Sequence, residues 1–212
     1  MRVRDLGEFG LIGRIARALP PPPSNVIMGI GDDVAVLQGS GPGYLLATCD
    51  VQVENVHFRL DTTTPYQLGR KVVAINVSDI AAMGGAPLWG LVSLALPPDT
   101  DVSFVDGLYE GMAEEMGRAG GSIVGGNLSK IHSEIVIDLC LMGSVARDKA
   151  LLRKGAEVGD LVLVTGFLGD SRAGLELLRH PEWTVSEDAR GRAVERHLTP
   201  QPRLKEGQIL AE

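Results

Sequence analysis

A series of carboxylate and amide side chains in this sequence has the chemistry to hold a cation: Asp32-Asp33, Asp50, Asp79, Asn127 and Asp170. Carboxylates are hard oxygen ligands suited to Mg²⁺, which keeps several waters and binds through a few protein carboxylates together with phosphate oxygens. Asp32, Asn127 and Asp170 directly follow a glycine, and glycine lets a phosphate or a hydrated ion come close to the backbone. On composition alone each cluster reads as a turn, because Asp, Asn and Gly dominate turns for backbone reasons; a shared metal site is the second reading. Asp79 is the least turn-like, lying in Asn76-Val77-Ser78-Asp79 within an apolar, helix-periodic run. A carboxylate there needs a partner, either a cation or a hydrogen-bond network in the core. No Walker A sequence and no complete G-x-G-x-x-G fingerprint is present, so nucleotide binding would have to work through metal bridging and glycine turns. His132, His180 and His197 lack metal-ligand spacing, and no Ser/His/Asp or Cys/His nucleophile arrangement stands out.

The elements that must position these residues follow from periodicity. Glu8–Leu19 reads as an amphipathic helix, ended by Pro20 to Pro23. Short strands are predicted at Val26–Ile30 and Val34–Leu37, either side of Gly31-Asp32-Asp33, with a turn at Gly39–Gly43 and a strand at Tyr44–Cys49 ending at Asp50. Pro65–Met83 is a long helix stopped by Gly84-Gly85, and Leu88–Leu96 a strand. Val102–Ala119 is a second helix, and Ser122–Val124 a short strand leading into a Gly125-Gly126-Asn127 turn. Glu134–Val145 alternates as a strand. A boundary near residue 148 divides an N-terminal domain, 1–148, from a partial domain, 149–212. The latter holds a strand at Leu161–Thr165, a helix at Ser171–Leu178 with Asp170 as N-cap, a helix at Ser186–His197 and a last helix from Arg203.

The 212 residues, 44% hydrophobic with 27 glycines and a net charge of −7, describe a globular α/β (α+β) chain. The acidity argues against nucleic acid, which rewards Lys/Arg clusters. No run approaches the ~20 apolar residues of a membrane span, and Met1 to Ala18 lacks a signal-peptide pattern. A cytoplasmic protein is expected. Cys49 and Cys140 lie in apolar strand-like runs and read as buried free thiols rather than a disulfide.

Taken together the segments resemble the thiamine-monophosphate kinase family over nearly the whole chain. Gly7-Glu8-Phe9-Gly10-Leu11-Ile12, Gly29-Ile30-Gly31-Asp32-Asp33 and the stretch from Asp50 to His57-Phe58 are similar to its N-terminal motifs. Lys71 through Met83-Gly84-Gly85-Ala86-Pro87 resembles its NxSDxAAMG signature, and Gly125-Gly126-Asn127 its nucleotide-side glycine motif. Leu152-Arg153-Lys154-Gly155 and Gly166 to Ser171 resemble the start of its second domain. The resemblance implies the fold of aminoimidazole-ribonucleotide synthetase: an N-terminal mixed sheet with flanking helices, pairing as a homodimer, then an α/β domain. It implies transfer of the γ-phosphoryl of ATP to thiamine monophosphate with several Mg²⁺ ions. By position, Asp33, Asp50, Asp79 and, through its amide oxygen, Asn127 would hold metal, with Thr48 and Cys49 beside them through backbone oxygens. Gly126, Asn127, Arg153 and Tyr109 would face the nucleotide, and His57 the thiamine phosphate.

Three positions depart from the family pattern. Asn127 stands where an Asp is common, Cys49 where a Thr is common, and no later SDGL-type motif is present. That motif is expected beyond Glu212, so the chain reads as truncated in its second domain.

Overall fold

The computed structural model describes residues 3–39 and 41–212. Met1 and Arg2, and Ser40 within the turn read at Gly39–Gly43, lie outside the described residues. In chain order the elements are α1 (Val3–Ala18), β1 (Val26–Met28), β2 (Ala35–Gln38), β3 (Gly43–Val53), α2 (Pro65–Ala82), β4 (Ala86–Leu96), α3 (Val102–Ala119), β5 (Ser122–Lys130), β6 (Val136–Ala146), α4 (Asp170–Arg179), α5 (Glu187–Leu198) and α6 (Leu204–Leu210). The strands form one mixed sheet in the order β1-β2-β3-β6-β4-β5. β6 is antiparallel to both neighbours, β3 and β4, while β5 lies parallel to β4 after the α3 crossover.

Local chemistry fixes the two helices that cover the sheet. Thr64 and Gln67 form a capping box at the start of α2, with Pro65 at its first position. Asp101 caps α3 by accepting from the Ser103 N–H, and Gly120 ends it at φ 83°. Alternation along the strands then sends Leu46, Val92, Leu94, Ile137, Leu139 and Leu141 toward Leu68, Val72, Ile80, Leu108, Met112 and Met116, all buried. Among the described residues no helix is long and apolar enough to cross a membrane.

α2 and α3 are also joined by charge. Arg70 Nε lies 2.9 Å from Glu115 Oε2, with side chains only 17% and 7% exposed, and Tyr66 bonds Glu114. Truncating Glu115 strands a half-buried guanidinium. Glu115→Ala should therefore cost about 3 kcal/mol in urea unfolding; a cost under half of that would show that the arginine finds water instead.

β3 and β5 run longer than periodicity predicts, while β1 stops at Met28 rather than Ile30. β3 continues to Val53 because every residue from Gly43 to Val53 has a partner on β6, so Asp50 sits inside a strand rather than at its end. β5 runs to Lys130, so Gly125-Gly126-Asn127 is edge strand, not turn. A Cβ on Gly126 would overlap the Val92 carbonyl oxygen, so close backbone approach to β4 requires the glycine. Cys49 is exposed, not buried.

The later segment differs most. Leu161–Thr165 is not a strand: no described chain pairs with it, and Leu161 and Val162 are 86% and 94% exposed. Asp170 is the first residue of α4 rather than its cap; Gly169 holds the cap position in the left-handed region, with no side-chain bond. α6 packs on α2, where Gly207 lies against the Ala81 carbonyl. Limited proteolysis should cut first between residues 155 and 169, where backbone pairing is sparse. A stable N-terminal fragment on a gel would support this; first cuts inside the β-sheet would refute it.

Candidate functional site

Four of the candidate residues meet where the middle of β3 faces the C-terminal half of α2. Alternation along β3 turns Thr48 and Asp50 to the helix side, with buried Leu46 and Gln52. Asp79 comes down from α2, and Thr48 Oγ1 donates to its Oδ2 at 2.9 Å. The same hydroxyl lies 3.4 Å from the Asp33 carbonyl oxygen, which ties the loop before β2 to the group. Asp32 and Asp33 occupy that loop after Gly31, which stands at φ 127°.

The electrostatics are those of crowded, partly dehydrated acids. Burial pushes Asp79 up to about 6; the Thr48 hydroxyl opposes the rise, Asp50 and Asp33 add to it, and Arg153 pulls against it. Burial also raises Asp50, with His57 opposing and Asp138 adding. Arg153 closes the group from the following segment. Its guanidinium bonds both oxygens of Asp33, and its backbone N–H donates to Asp32 Oδ2 at 3.2 Å. The acids are gathered but not closed: among the described residues no three acidic, His or Cys side chains stand in ion-holding geometry. That suits an ion that keeps its waters and takes one or two carboxylates better than a tight protein cage, and a cation here would offset the burial and the smaller repulsion from Asp50 and Asp33 that lift Asp79.

His57 follows β3 in a tight turn in which Asn55 takes φ 63°. Its Nδ1 accepts from the Val53 N–H at 3.1 Å, so the neutral ring carries its proton on Nε2. The ring is exposed and near enough to Asp50 to lower its pKa.

Other candidates lie elsewhere. Alternation places the Cys49 side chain on the opposite, open face of the sheet, leaving only its backbone near the acids. Burial, with Asp138, Cys140 and Asp50, holds that thiol above its usual pKa, which suits it poorly as a ligand. Asn127 is level with Ser93, Asp138 and Val51 across the sheet, on the open face. β5 is three strands from β3, roughly 14 Å at normal strand spacing, and the Asn127 amide bonds Ser129. Tyr109 is on α3, where burial raises its phenol pKa. Asp170 lines a separate cavity of about 310 Å³ with Leu177, Val185 and Arg192. Asp138 was not anticipated from sequence, although an Asp amid the alternating apolar run Ile135 to Leu141 is a readable signal.

Residues 31–145 match the family described as AIR synthase related protein, N-terminal domain. The chain belongs to this AIR synthase-related family. The match starts at Gly31 and ends with β6, taking in every acid gathered above. Within this AIR synthase-related group, the chain is 43% identical over 206 residues to a thiamine-monophosphate kinase of Aquifex aeolicus, across 96% of this chain and 63% of that relative. It is 36% identical over 209 residues to the thiamine-monophosphate kinase of Mycobacterium tuberculosis, across 99% of this chain and 60% of the relative. A solved structure described as AaThiL complexed with AMPPCP and TMP superposes with a TM-score of 0.89 at 40% identity, over 100% of this chain and 65% of that one. The chain thus spans about three fifths of the relatives it matches.

Proposed function

We propose that this chain forms the metal- and nucleotide-binding part of a thiamine-monophosphate kinase, moving the γ-phosphoryl of ATP onto the phosphate of thiamine monophosphate to give ADP and thiamine diphosphate. The observation that carries this reading is the 43% identity across 96% of the chain, in a molecule whose Asp33, Asp50, Asp79 and Arg153 gather at one place. Mg²⁺ held by Asp33, Asp50 and Asp79 supplies charge neutralisation between two polyanions. Thr48 orients the Asp79 carboxylate. Arg153 offers a planar, bidentate cation of the kind phosphate oxygens take. The exposed Nε2–H of His57 can donate to the substrate phosphate. Gly126, Asn127 and Tyr109 contact the nucleotide. No general base is required, because the acceptor is already an anionic oxygen.

The protein acts as a homodimer in the cytoplasm. The open sheet face bears exposed Val51, Trp89 and Leu91 beside Cys49 and Asn127, an apolar patch that a second copy would cover. One copy alone does not bring Asn127 to the acids, and the paired face is the one that carries it.

The test is chromatographic detection of thiamine diphosphate from thiamine monophosphate, ATP and Mg²⁺, together with calorimetric binding of a non-hydrolysable ATP analogue. Mg²⁺-dependent product is the expected result. Analogue binding without product would make the chain a nucleotide-binding module. Failure of both would remove the kinase reading while leaving the fold intact.

A further inference from the structure

Asp32 is an acid beside the gathered group to which the proposed phosphoryl transfer gives no work. Its side chain is 3% exposed, against 28% for that of Asp33. A buried carboxylate needs partners, and Asp32 has two, both backbone amides. Its Oδ1 accepts from the Asp33 N–H at 3.0 Å, and its Oδ2 accepts from the Arg153 N–H at 3.2 Å. The second bond crosses 121 residues, from the loop before β2 to the segment after β6. That segment is also tied at Leu151, whose N–H donates to the Met83 carbonyl at 3.2 Å. Arg153 therefore has a fixed root and a loose head, its side chain being 56% exposed. The head bonds both oxygens of Asp33. A guanidinium on both oxygens repels a second cation at the same carboxylate. The head must therefore leave Asp33 when metal and nucleotide arrive, whereas the backbone need not move.

We propose that Asp32 is a positioning residue for nucleotide binding: its carboxylate pins the Arg153 backbone beside Asp33 and leaves the guanidinium to pass from Asp33 to a nucleotide phosphate. This role rests on the kinase reading, which assigns Arg153 to the nucleotide. A long arginine side chain loses conformational freedom when it takes hold of a ligand. A root already held leaves less freedom to lose and keeps the head within reach of both partners. Asp32 does not itself take the metal. Both its oxygens are engaged by amides, and an ion that keeps its waters has no path to a carboxylate so enclosed.

The experiment measures calorimetric binding of a non-hydrolysable ATP analogue with Mg²⁺ to the parent, Asp32→Asn, Arg153→Ala and the double variant, with circular dichroism confirming each fold. Asparagine keeps the size but offers one acceptor oxygen to the two amides. Asp32→Asn should weaken the analogue about tenfold, the scale of one hydrogen bond to a charged group, and Arg153→Ala at least as much. The double variant should bind as Arg153→Ala does, because Asp32 acts only through that side chain. Losses that multiply in the double variant would make Asp32 a general support of the fold and overturn the proposal. Unchanged binding in Asp32→Asn would do the same. Loss in Asp32→Asn of a thermal shift that Mg²⁺ alone gives the parent would instead mark Asp32 as a ligand. A parent that binds no analogue would sink the kinase reading and this role together. Hydrogen exchange on the parent tests the pin without any variant. The Arg153 amide should exchange more slowly than those of Lys154 and Gly155, which lack partners among the described residues; equal rates would refute the pin.

Discussion

Replacing Asp79 by Asn should make the metal-free protein more stable at pH 7.5 and abolish its thermal response to Mg²⁺. An unfolded chain ionises Asp79 near pH 4, whereas burial beside Asp50 and Asp33 moves it to about 6 in the fold. Between those values the folded state binds more protons than the unfolded one, so stability falls as pH rises. Above about pH 6 the whole cost is in place. Two pH units correspond to about 3 kcal/mol at full strength; Asp79 is partly solvated, so about 1–2 kcal/mol is expected after screening. Asparagine carries no charge, and its amide oxygen can still accept from the Thr48 hydroxyl. The variant should melt a few degrees higher, at about 2–4 °C per kcal/mol for a chain of this size, with the gain fading toward pH 4. Mg²⁺ and an ATP analogue should raise the midpoint of the parent protein and leave the variant unmoved. A variant that melts lower at pH 7.5, or that still responds to Mg²⁺, would show that Asp79 is a structural acid.

A large loss of folding stability should come from Gly111→Ala. A Cβ there would lie inside the contact surface of the Tyr66 carbonyl oxygen and 3.1 Å from the Arg70 nitrogen; at Gly69 it would collide with the Leu108 carbonyl. α2 and α3 therefore touch backbone to backbone at this crossing. Neither carbonyl can swing aside without breaking its helix, so the axes must separate, which disturbs the Arg70–Glu115 pair beneath them. A loss of about 3 kcal/mol, at the upper end of overpacking costs, is expected. Gly117 on the same helix is the control, because a Cβ there meets nothing. Gly117→Ala should gain up to about 1 kcal/mol from helix propensity. Equal effects at the two sites in urea titrations would refute the close-crossing argument.

Much of the molecule could be read from local chemistry. Thr64-Pro65 and Gly84-Gly85 bracket α2, Asp101 and Gly120 bracket α3, and two-residue alternation marks β6. These signals act within a few residues, so they survive in a linear string. Asp79 was legible as a candidate, since a carboxylate in an apolar helical run needs a partner; Asp33 and Asp50 alone read as turn residues and became candidates through the family resemblance. Strand lengths were not, because β3 and β5 are extended by partners far away in sequence. Propensity at Leu161–Thr165 pointed to a strand, but a strand needs a neighbour to take its hydrogen bonds, and none of the described chain lies there. The grip of Arg153 on Asp33 spans 120 residues. The placing of Cys49 on the open face depends on β3–β6 register, in which a one-residue slip would turn a side chain to the other face. Sequence by itself determined which side chains have the chemistry to hold a cation and where α2 and α3 begin and end. Only the tertiary structure decided which face of the sheet each residue occupies, because pairing between distant strands sets that choice.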